Sequence, residues 1–168
     1  MSSINNRCAS RVTALAFGDV LDSKKIKQRR LVVGHGAILS IIDLSTGVQN
    51  DINLATAYVP AGGTNQATVN GILGIAVHPQ YGDIYVEVKG TNNFRYLLNV
   101  DAGDNSCRHG LTVQKVYQHS QTPSNAIPLD FGSTGDGHIV FMPDGMLLRY
   151  ETVVNGAPAN WATYKVSK

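Results

Sequence analysis

The sequence predicts an all-β fold made of antiparallel meanders. Three units, at about residues 11–47, 71–103 and 137–166, repeat the same order of apolar alternating strand, turn and second apolar strand. Self-similarity over such a long period indicates supersecondary units that stack on their neighbours. Only 15% of the residues are charged, against about 25% in an average soluble domain, and the helix formers glutamate and lysine are scarce. This composition favours strands and turns over a helical bundle.

The first unit opens with an alternating strand at residues 12–17. Successive side chains of a strand point to opposite faces, and here both faces are apolar, which is typical of a strand covered on both sides. Residues 31–33 and 37–43 supply two further strands, separated by Gly34-His-Gly36, where glycine allows a turn or bulge. Asp43-Leu-Ser-Thr-Gly47 closes the unit as a turn whose polar side chains can bond the backbone.

Residues 48–70 predict a long loop that contains one strand at most, around an apolar patch at residues 55–59. Loops longer than about 15 residues in compact domains are functional or form interfaces, or they indicate that the assignment is wrong. Both readings stay open for this stretch.

The second unit begins with a strand at residues 72–77 and turns at His78-Pro-Gln-Tyr-Gly82. Proline cannot donate to a strand ladder and glycine ends the turn, so a hairpin is expected. Residues 84–88 form the returning strand, and a turn at 90–93 leads to a third strand at 94–100. The second unit is therefore a three-stranded meander.

The stretch from residue 104 to 136 is polar and predicts one strand, at residues 111–117. The third unit follows with a strand at 137–142 and a turn at Pro143-Asp-Gly145, where proline presets φ and glycine accepts a left-handed conformation. A strand at residues 146–150 follows this turn. A turn signal at Asn155-Gly156 then precedes the last strand at Trp161–Val166.

Length and charge limit the organisation of the chain and its partners. A chain of 168 residues predicts a single all-β domain over residues 1–168. The net charge is +2, and the one dense basic cluster, Lys24–Arg30, is interpreted as a solvated hairpin loop, because nucleic-acid binding usually needs a basic stripe over a whole face. Nucleic acid is therefore not an expected partner.

The sequence carries no expected targeting or membrane segment. No apolar run approaches the roughly 20 residues that cross a bilayer, and residues 1–8 lack the apolar stretch of a secretory signal. The location is unknown from sequence: a virion if the source is viral, and otherwise the cytoplasm. Cys8 and Cys107 lie far apart without a CxxC spacing, so two free thiols are expected.

The histidines and one group of oxygen-bearing side chains are candidate sites. The histidines, which titrate near neutral pH, are His35, His78, His109, His119 and His138. All five are interpreted as turn or edge residues in preference to a catalytic base. The oxygen-bearing side chains around one turn, which could ligate calcium, are Asn99, Asp101, Asp104 and Asn105. They lack the spacing of an EF-hand loop, and a turn stabilised by its own side chains is the preferred interpretation.

Motifs that would indicate an enzyme are missing from the sequence. Asp130–Gly137 is glycine-rich but lacks a Gly-Lys-Ser/Thr ending and precedes a strand, unlike a phosphate loop. Gly34-x-Gly36 is no dinucleotide fingerprint, and no Gly-x-Ser-x-Gly occurs. We therefore assign no catalytic, cofactor-binding or metal-ligating residue and expect no cofactor. Tyr58, Tyr81 and Trp161 lie beside turns and are candidates for a sugar or protein contact, although core packing also explains them.

The strand rhythm resembles that of β-propeller blades. WD-repeat and quinoprotein-type blades are resembled by residues 12–17, 31–36 and 41–47. Sequence segments of soluble quinoprotein sugar dehydrogenases are similar to residues 71–79 and 137–145. The quinoprotein resemblance implies a bound quinone, a calcium site and a histidine base, drawn from six blades. This chain is far too short for that whole set. Its spacing departs from the family through inserts between units, and no Trp-Asp ends a unit.

The small number of blade-like units leads to a prediction that the chain assembles with protein partners. A propeller needs typically four to eight blades, so three units cannot close by themselves. Either further chains complete a ring, or the strands form a β-sandwich or jelly roll. Open sheet edges are usually covered, so we expect a homo-oligomer or a larger assembly.

Two classes of function remain from the sequence. The first is a non-enzymatic structural or interaction protein that assembles with copies of itself or with other proteins, such as a decoration, adaptor or tail protein of a bacteriophage virion. Low charge and long polar loops suggest it. The alternative is a propeller-type ligand- or glycan-binding module, or a fragment of a quinoprotein-like dehydrogenase.

Overall fold

The computed structural model describes residues 11–22, 24–57, 69–89, 95–102, 106–109, 113–119, 137–151 and 160–166. Within these ranges the chain forms twelve strands and one helix of four residues, α1 (Leu54–Ala57). The strands are β1 (Val12–Leu21), β2 (Lys27–His35), β3 (Ile38–Asp43), β4 (Gln49–Asn53), β5 (Gly71–Val77), β6 (Ile84–Lys89), β7 (Arg95–Asp101), β8 (Ser106–His109), β9 (Val113–His119), β10 (Gly137–Phe141), β11 (Met146–Glu151) and β12 (Asn160–Val166).

The strands form three antiparallel four-stranded sheets, which confirms the all-β prediction. Sheet 1 has the order β1-β2-β3-β4 and sheet 2 the order β5-β6-β7-β8, so both are simple meanders. Sheet 3 has the order β10-β11-β12-β9. Its outer strand β9 precedes the other three along the chain but pairs with β12, from Trp161 opposite His119 to Val166 opposite Val113.

The first strands of the three sheets lie side by side, with β5 packed between β1 and β10. Sheet 2 is therefore covered on both faces. One face packs on sheet 1 through buried aliphatic side chains that include Val32, Ile41, Ile84 and Val86. The other face packs on sheet 3 through a second cluster: Ala76, Tyr85, Leu97, Ile139, Leu147 and Tyr164.

Glycines allow sheets 1 and 2 to approach closely. A Cβ atom at Gly18 would lie 2.8 Å from Cβ of Val77, and one at Gly34 would lie 2.5 Å from Cγ2 of Ile72. Both distances are too short for real side chains, so these two positions require glycine. The Ile72 amide also donates to the Gly36 carbonyl at 2.8 Å, which bonds the two sheets directly.

The turns predicted at Asp43–Gly47, His78–Gly82 and Pro143–Gly145 are confirmed, and those predicted at residues 90–93 and 155–156 lie outside the described residues. Gly145 has a φ of +85°, and its amide donates to the Met142 carbonyl at 2.9 Å. Gly82 and Gly47 close their turns with φ values of +75° and +72°. Only glycine adopts these angles without strain, which explains why the turns could be located from the sequence.

Each predicted three-strand unit extends to a four-stranded sheet. The first gains β4 from the stretch predicted as a long loop, and the apolar patch behind it begins within α1 instead of a strand. The predicted strand at residues 111–117 corresponds to β9, which joins sheet 3. The sequence does not predict β8, because residues 106–109 are polar and show no alternation.

Two local interpretations were wrong. β2 continues through Gly34 and His35, and the chain reverses only at Gly36 and Ala37, where Gly36 has a φ of +58°. The basic segment is also not all loop, because β2 begins at Lys27 and carries Arg29 and Arg30. The two arginines alternate across the sheet, so each meets a different aspartate.

Candidate functional site

β1 is covered on one face and open on the other, contrary to the two-sided burial that its sequence predicts. Ala14 and Ala16 pack against the core beside sheet 2, whereas the side chains of Leu15 and Phe17 are 63% and 56% exposed. Large apolar side chains exposed side by side indicate an interaction surface.

The open side of β1 continues onto β2 through register. Leu15 lies opposite Val33 and Phe17 opposite Leu31, and side chains of directly paired residues share a face. We call the surface of Leu15, Phe17 and the half-buried Leu31 the first open face; Val33, opposite Leu15, is buried in its own chain.

An ion pair borders the first open face. Arg29 Nε lies 2.8 Å from Asp19 Oδ1, and the Arg29 guanidinium lies 5.3 Å from the centre of the Phe17 ring. The hydrogen bond with Arg29 lowers the pKa of Asp19, and the same bond raises the pKa of Arg29. Both groups are solvated, so the ion pair adds little stability. It does hold the Arg29 guanidinium beside the Phe17 ring.

Sheet 3 has a corresponding outer surface. Val140 on β10 and Tyr150 on β11 are 54% and 44% exposed, and they alternate with Ile139 and Arg149, which point towards sheet 2. His138 lies directly opposite Tyr150, and Val140 opposite Leu148. We call the surface of His138, Val140, Leu148 and Tyr150 the second open face.

A histidine, a serine and an aspartate meet on sheet 1. His35 Nε2 lies 2.9 Å from Ser40 Oγ, and the Ser40 hydroxyl donates to Asp51 Oδ1 at 2.6 Å. Because the single hydroxyl proton points to Asp51, Ser40 accepts from the imidazole N–H and from the Gln49 side-chain amide at 3.3 Å. In a hydrolase triad the histidine stands between serine and carboxylate and accepts the serine proton. The order here is different, and the network holds strands together.

His78 lies buried at the turn between β5 and β6 and packs against sheet 3. Its Nδ1 accepts hydrogen bonds from the amides of Gln80 and Tyr81, each at 3.2 Å. The ring stacks on Tyr81 at 4.4 Å between centroids and is tilted against Phe141 at 4.7 Å. His78 therefore organises the turn and fills the junction between sheets 2 and 3. Tyr81, a candidate contact residue, packs on this histidine.

A buried ion pair crosses the same junction, and the sequence analysis missed it. Arg149 donates to Glu87 through Nη2 at 2.6 Å and through Nε at 3.0 Å, and neither side chain is more than 3% exposed. The available signal was a single charge inside an apolar strand in Tyr-Val-Glu-Val and in Leu-Leu-Arg-Tyr. Their pairing was not predictable because 62 positions separate them.

A cleft of about 320 Å³ lies beside sheet 1, and Ala102 from the end of β7 also lines it. Its polar wall includes Arg30 and Asp43, whose Nη1 and Oδ2 atoms are 2.8 Å apart. The hydroxyl of Ser45, with the amides of Ser45 and Thr46 and the charge of Arg30, lowers the pKa of Asp43 to about 2. Asp43 is thus an anion that stabilises its own turn, as the sequence predicts.

The remaining sequence candidates are only partly visible. Asn99 is buried, and its Nδ2 donor has no hydrogen-bond partner within the described ranges. The side chains of Asp101, His109, His119, Cys107 and Trp161, and the whole of Cys8, Tyr58, Asp104, Asn105 and residues 130–136, lie outside the described residues. Among the side chains that the structure does describe, no three of His, Cys, Asp or Glu are grouped to hold a metal ion.

No protein-family model matches this chain, and no curated protein sequence matches it either. In the described portion, the chain has no helix long and apolar enough to cross a membrane.

Proposed function

We propose that this chain is a non-enzymatic interaction protein that assembles with copies of itself or with other proteins through its two open faces. The observation that carries the proposal is the exposure of Leu15 and Phe17 on a strand whose other face is packed. Burying a large apolar side chain contributes about 1.5–3 kcal/mol. The two side chains together therefore favour association strongly.

The sheet arrangement supports the propeller-like interpretation of this assembly. Three successive sheets pack in chain order with their first strands adjacent, as blades do, whereas a sandwich consists of two packed sheets. A ring needs typically four to eight blades, so further sheets must come from outside this array. That the assembly is a phage virion stays a prediction from composition.

Sedimentation velocity across a hundred-fold concentration range tests the proposal. We expect the wild-type chain to form oligomers and the Leu15→Ser/Phe17→Ser variant to shift towards the monomer. The matched control is Leu44→Ser/Val48→Ser, which removes two comparably exposed side chains from the turn between β3 and β4. A wild-type chain that stays monomeric throughout, or a control that dissociates equally, contradicts the proposal.

A ligand-binding function is the second candidate, because the cleft beside sheet 1 has a volume typical of small-molecule sites. Its polar wall includes Asp22, Thr46 and Asn50, which suits a hydroxyl-rich ligand such as a glycan. A ligand present at 100 times its Kd stabilises the native state by about 2.7 kcal/mol. Thermal unfolding with a panel of saccharides, for the wild type and Asn50→Ala, therefore tests this function. No shift with any saccharide contradicts it.

A further inference from the structure

The first strands of the three sheets can be aligned position by position. Residues 13–17, 73–77 and 137–141 share the same alternation within the first strand of their sheet; the second and third segments end at the hairpin turn, whereas β1 continues to Leu21. Leu15 therefore corresponds to Ile75 and Ile139, and Phe17 corresponds to Val77 and Phe141. Ile75 and Ile139 are buried in the contact with the preceding sheet. Leu15 holds the same position and is exposed.

One contact between sheets recurs at equivalent positions. Gly18 lies against Val77, with a Cβ-to-Cβ distance of 2.8 Å if Gly18 carried a side chain. One sheet further along, His78 packs against Phe141 with ring centroids 4.7 Å apart. In both cases the residue after the aligned segment touches the last residue of the next aligned segment. Met142 comes next in this series, and the equivalent partner position is Phe17.

From this repetition we infer that a second copy of the chain covers the open faces, with the second open face of one copy packed against the first open face of the other. Met142 of each copy then contacts Phe17 of its partner. The dimer therefore contains two such contacts between copies, and together they close a ring of six sheets. The inference rests on the proposed function and specifies its partner.

A second pair of positions supports the same orientation. Glu87 and Tyr150 are equivalent by register, since Glu87 pairs with Gly74 and Tyr150 with His138. Glu87 reaches across to Arg149 of the next sheet. Val33 pairs with Leu15 and Arg149 pairs with Ile139, so Val33 holds the position in sheet 1 that Arg149 holds in sheet 3. In the ring Tyr150 therefore lies over the Leu15–Val33 pair of the other copy, where Val33 is already buried in its own chain and an apolar contact takes the place of the buried ion pair.

The number of sheets points to two copies. The described residues of each copy form three sheets, and six is the only multiple of three within the usual range of four to eight blades. Unlike surfaces that meet head to tail form a closed ring when the rotation between units fits. A methionine sulfur beside an aromatic ring is a favourable contact, so Met142 and Phe17 suit each other chemically.

Cysteine cross-linking tests the inference on the full chain. The variant Phe17→Cys/Met142→Cys is made in a Cys8→Ser/Cys107→Ser background and equilibrated in a glutathione redox buffer. The equivalent Gly18–Val77 distance is short, so Cβ atoms at positions 17 and 142 should fall near the roughly 3.5–4.5 Å that a disulfide needs. We expect a covalent dimer on a non-reducing gel, with circular dichroism confirming the β fold.

The single-cysteine variants are the matched controls. Each alone should stay a monomer on the gel, and an equimolar mixture of the two should give a covalent dimer. Dimers of Phe17→Cys alone would show that like faces meet, which overturns the inference. A ladder of covalent trimers and longer species overturns the closed ring of six sheets.

Charge complementation is an independent test that needs no oxidation. Phe17→Asp and Met142→Lys should each lower the dimer fraction at least ten-fold, and mixing them should restore dimers, because one of the two contacts is then wild type. If the wild type associates but mixing restores nothing and no cross-link forms, the inference fails and the proposed function stands. A wild-type chain that remains monomeric contradicts both.

Discussion

Arg149 and Glu87 bind each other through two parallel hydrogen bonds of 2.6 and 3.0 Å, in an almost water-free junction between sheets 2 and 3. Removing two charges from water carries a large desolvation penalty, which only close bidentate contact offsets. The pair joins β6 of sheet 2 to β11 of sheet 3. It adds little stability beyond what apolar side chains of similar size would provide.

Replacing one partner should be far worse than replacing both. We expect Glu87→Leu and Arg149→Met each to lower the free energy of unfolding by about 3–5 kcal/mol, because each removes the bidentate partner of a buried charge. The double variant should recover most of this loss. Urea unfolding of the four proteins in a double-mutant cycle measures the coupling. Additive losses would contradict this account, and Asp19→Ala, at the exposed pair with Arg29, should change stability little.

Two substitutions separate the roles of His78. His78→Asn keeps a side-chain acceptor for the amides of Gln80 and Tyr81 but loses the aromatic packing. His78→Phe keeps packing against Phe141 but leaves two amides unbonded, each costing about 1–3 kcal/mol if it stays buried. We expect both variants to be less stable, with His78→Phe the worse of the two. The reverse order in chemical denaturation would show that ring packing dominates.

Alanine substitutions at three glycines should give a graded series. Gly71→Ala meets nothing within 4 Å and should be nearly neutral, whereas Gly47→Ala also has free space but a φ of +72°, which costs about 1–2 kcal/mol for a residue with a side chain. Gly82→Ala adds to a similar φ a contact of 2.7 Å with the Asp19 carbonyl oxygen. Its loss of stability should be the largest of the three. The melting temperature should therefore be highest for Gly71→Ala, intermediate for Gly47→Ala and lowest for Gly82→Ala. A Gly82→Ala variant as stable as Gly71→Ala would refute this ranking.

Asp43 should contribute to acid sensitivity. Its folded pKa of about 2 lies below the ordinary value of 3.8, so the ionised form favours folding at pH values above about 4. This contribution is lost as the pH falls from about 4 to 2. Stability should fall less steeply over this range in Asp43→Asn than in the wild type. Ser45→Ala should move the Asp43 pKa towards 3.8 in an NMR titration, and an unmoved pKa would exclude the Ser45 hydroxyl as its main cause.

Local chemistry made much of the fold predictable. Alternation in residues 12–17 and 72–77 located β1 and β5, and Pro143-Asp-Gly145 located the first hairpin of sheet 3, because these patterns depend only on neighbouring residues. β8 lacks alternation, since an edge strand needs only its backbone to pair.

The functional surfaces were harder to predict from the sequence. The pattern of β1 indicates correctly that both faces are apolar, but which face this chain itself covers depends on how the sheets stack. The pairing of Glu87 with Arg149 likewise depends on tertiary contacts between distant strands. For these features the alternating pattern marks candidate residues, and only the packed sheets identify their partners.

The order of strands in sheet 3 has a consequence for how the protein is made. β9 leaves the ribosome well before β12, the strand with which it pairs, whereas every strand of sheets 1 and 2 pairs with its immediate neighbour along the chain. Sheets 1 and 2 can therefore form during translation before β12, the strand that pairs with β9, has been synthesised. A nascent chain interrupted before Asn160 exposes an unpaired ladder, and this is the stage at which chaperone binding would matter most.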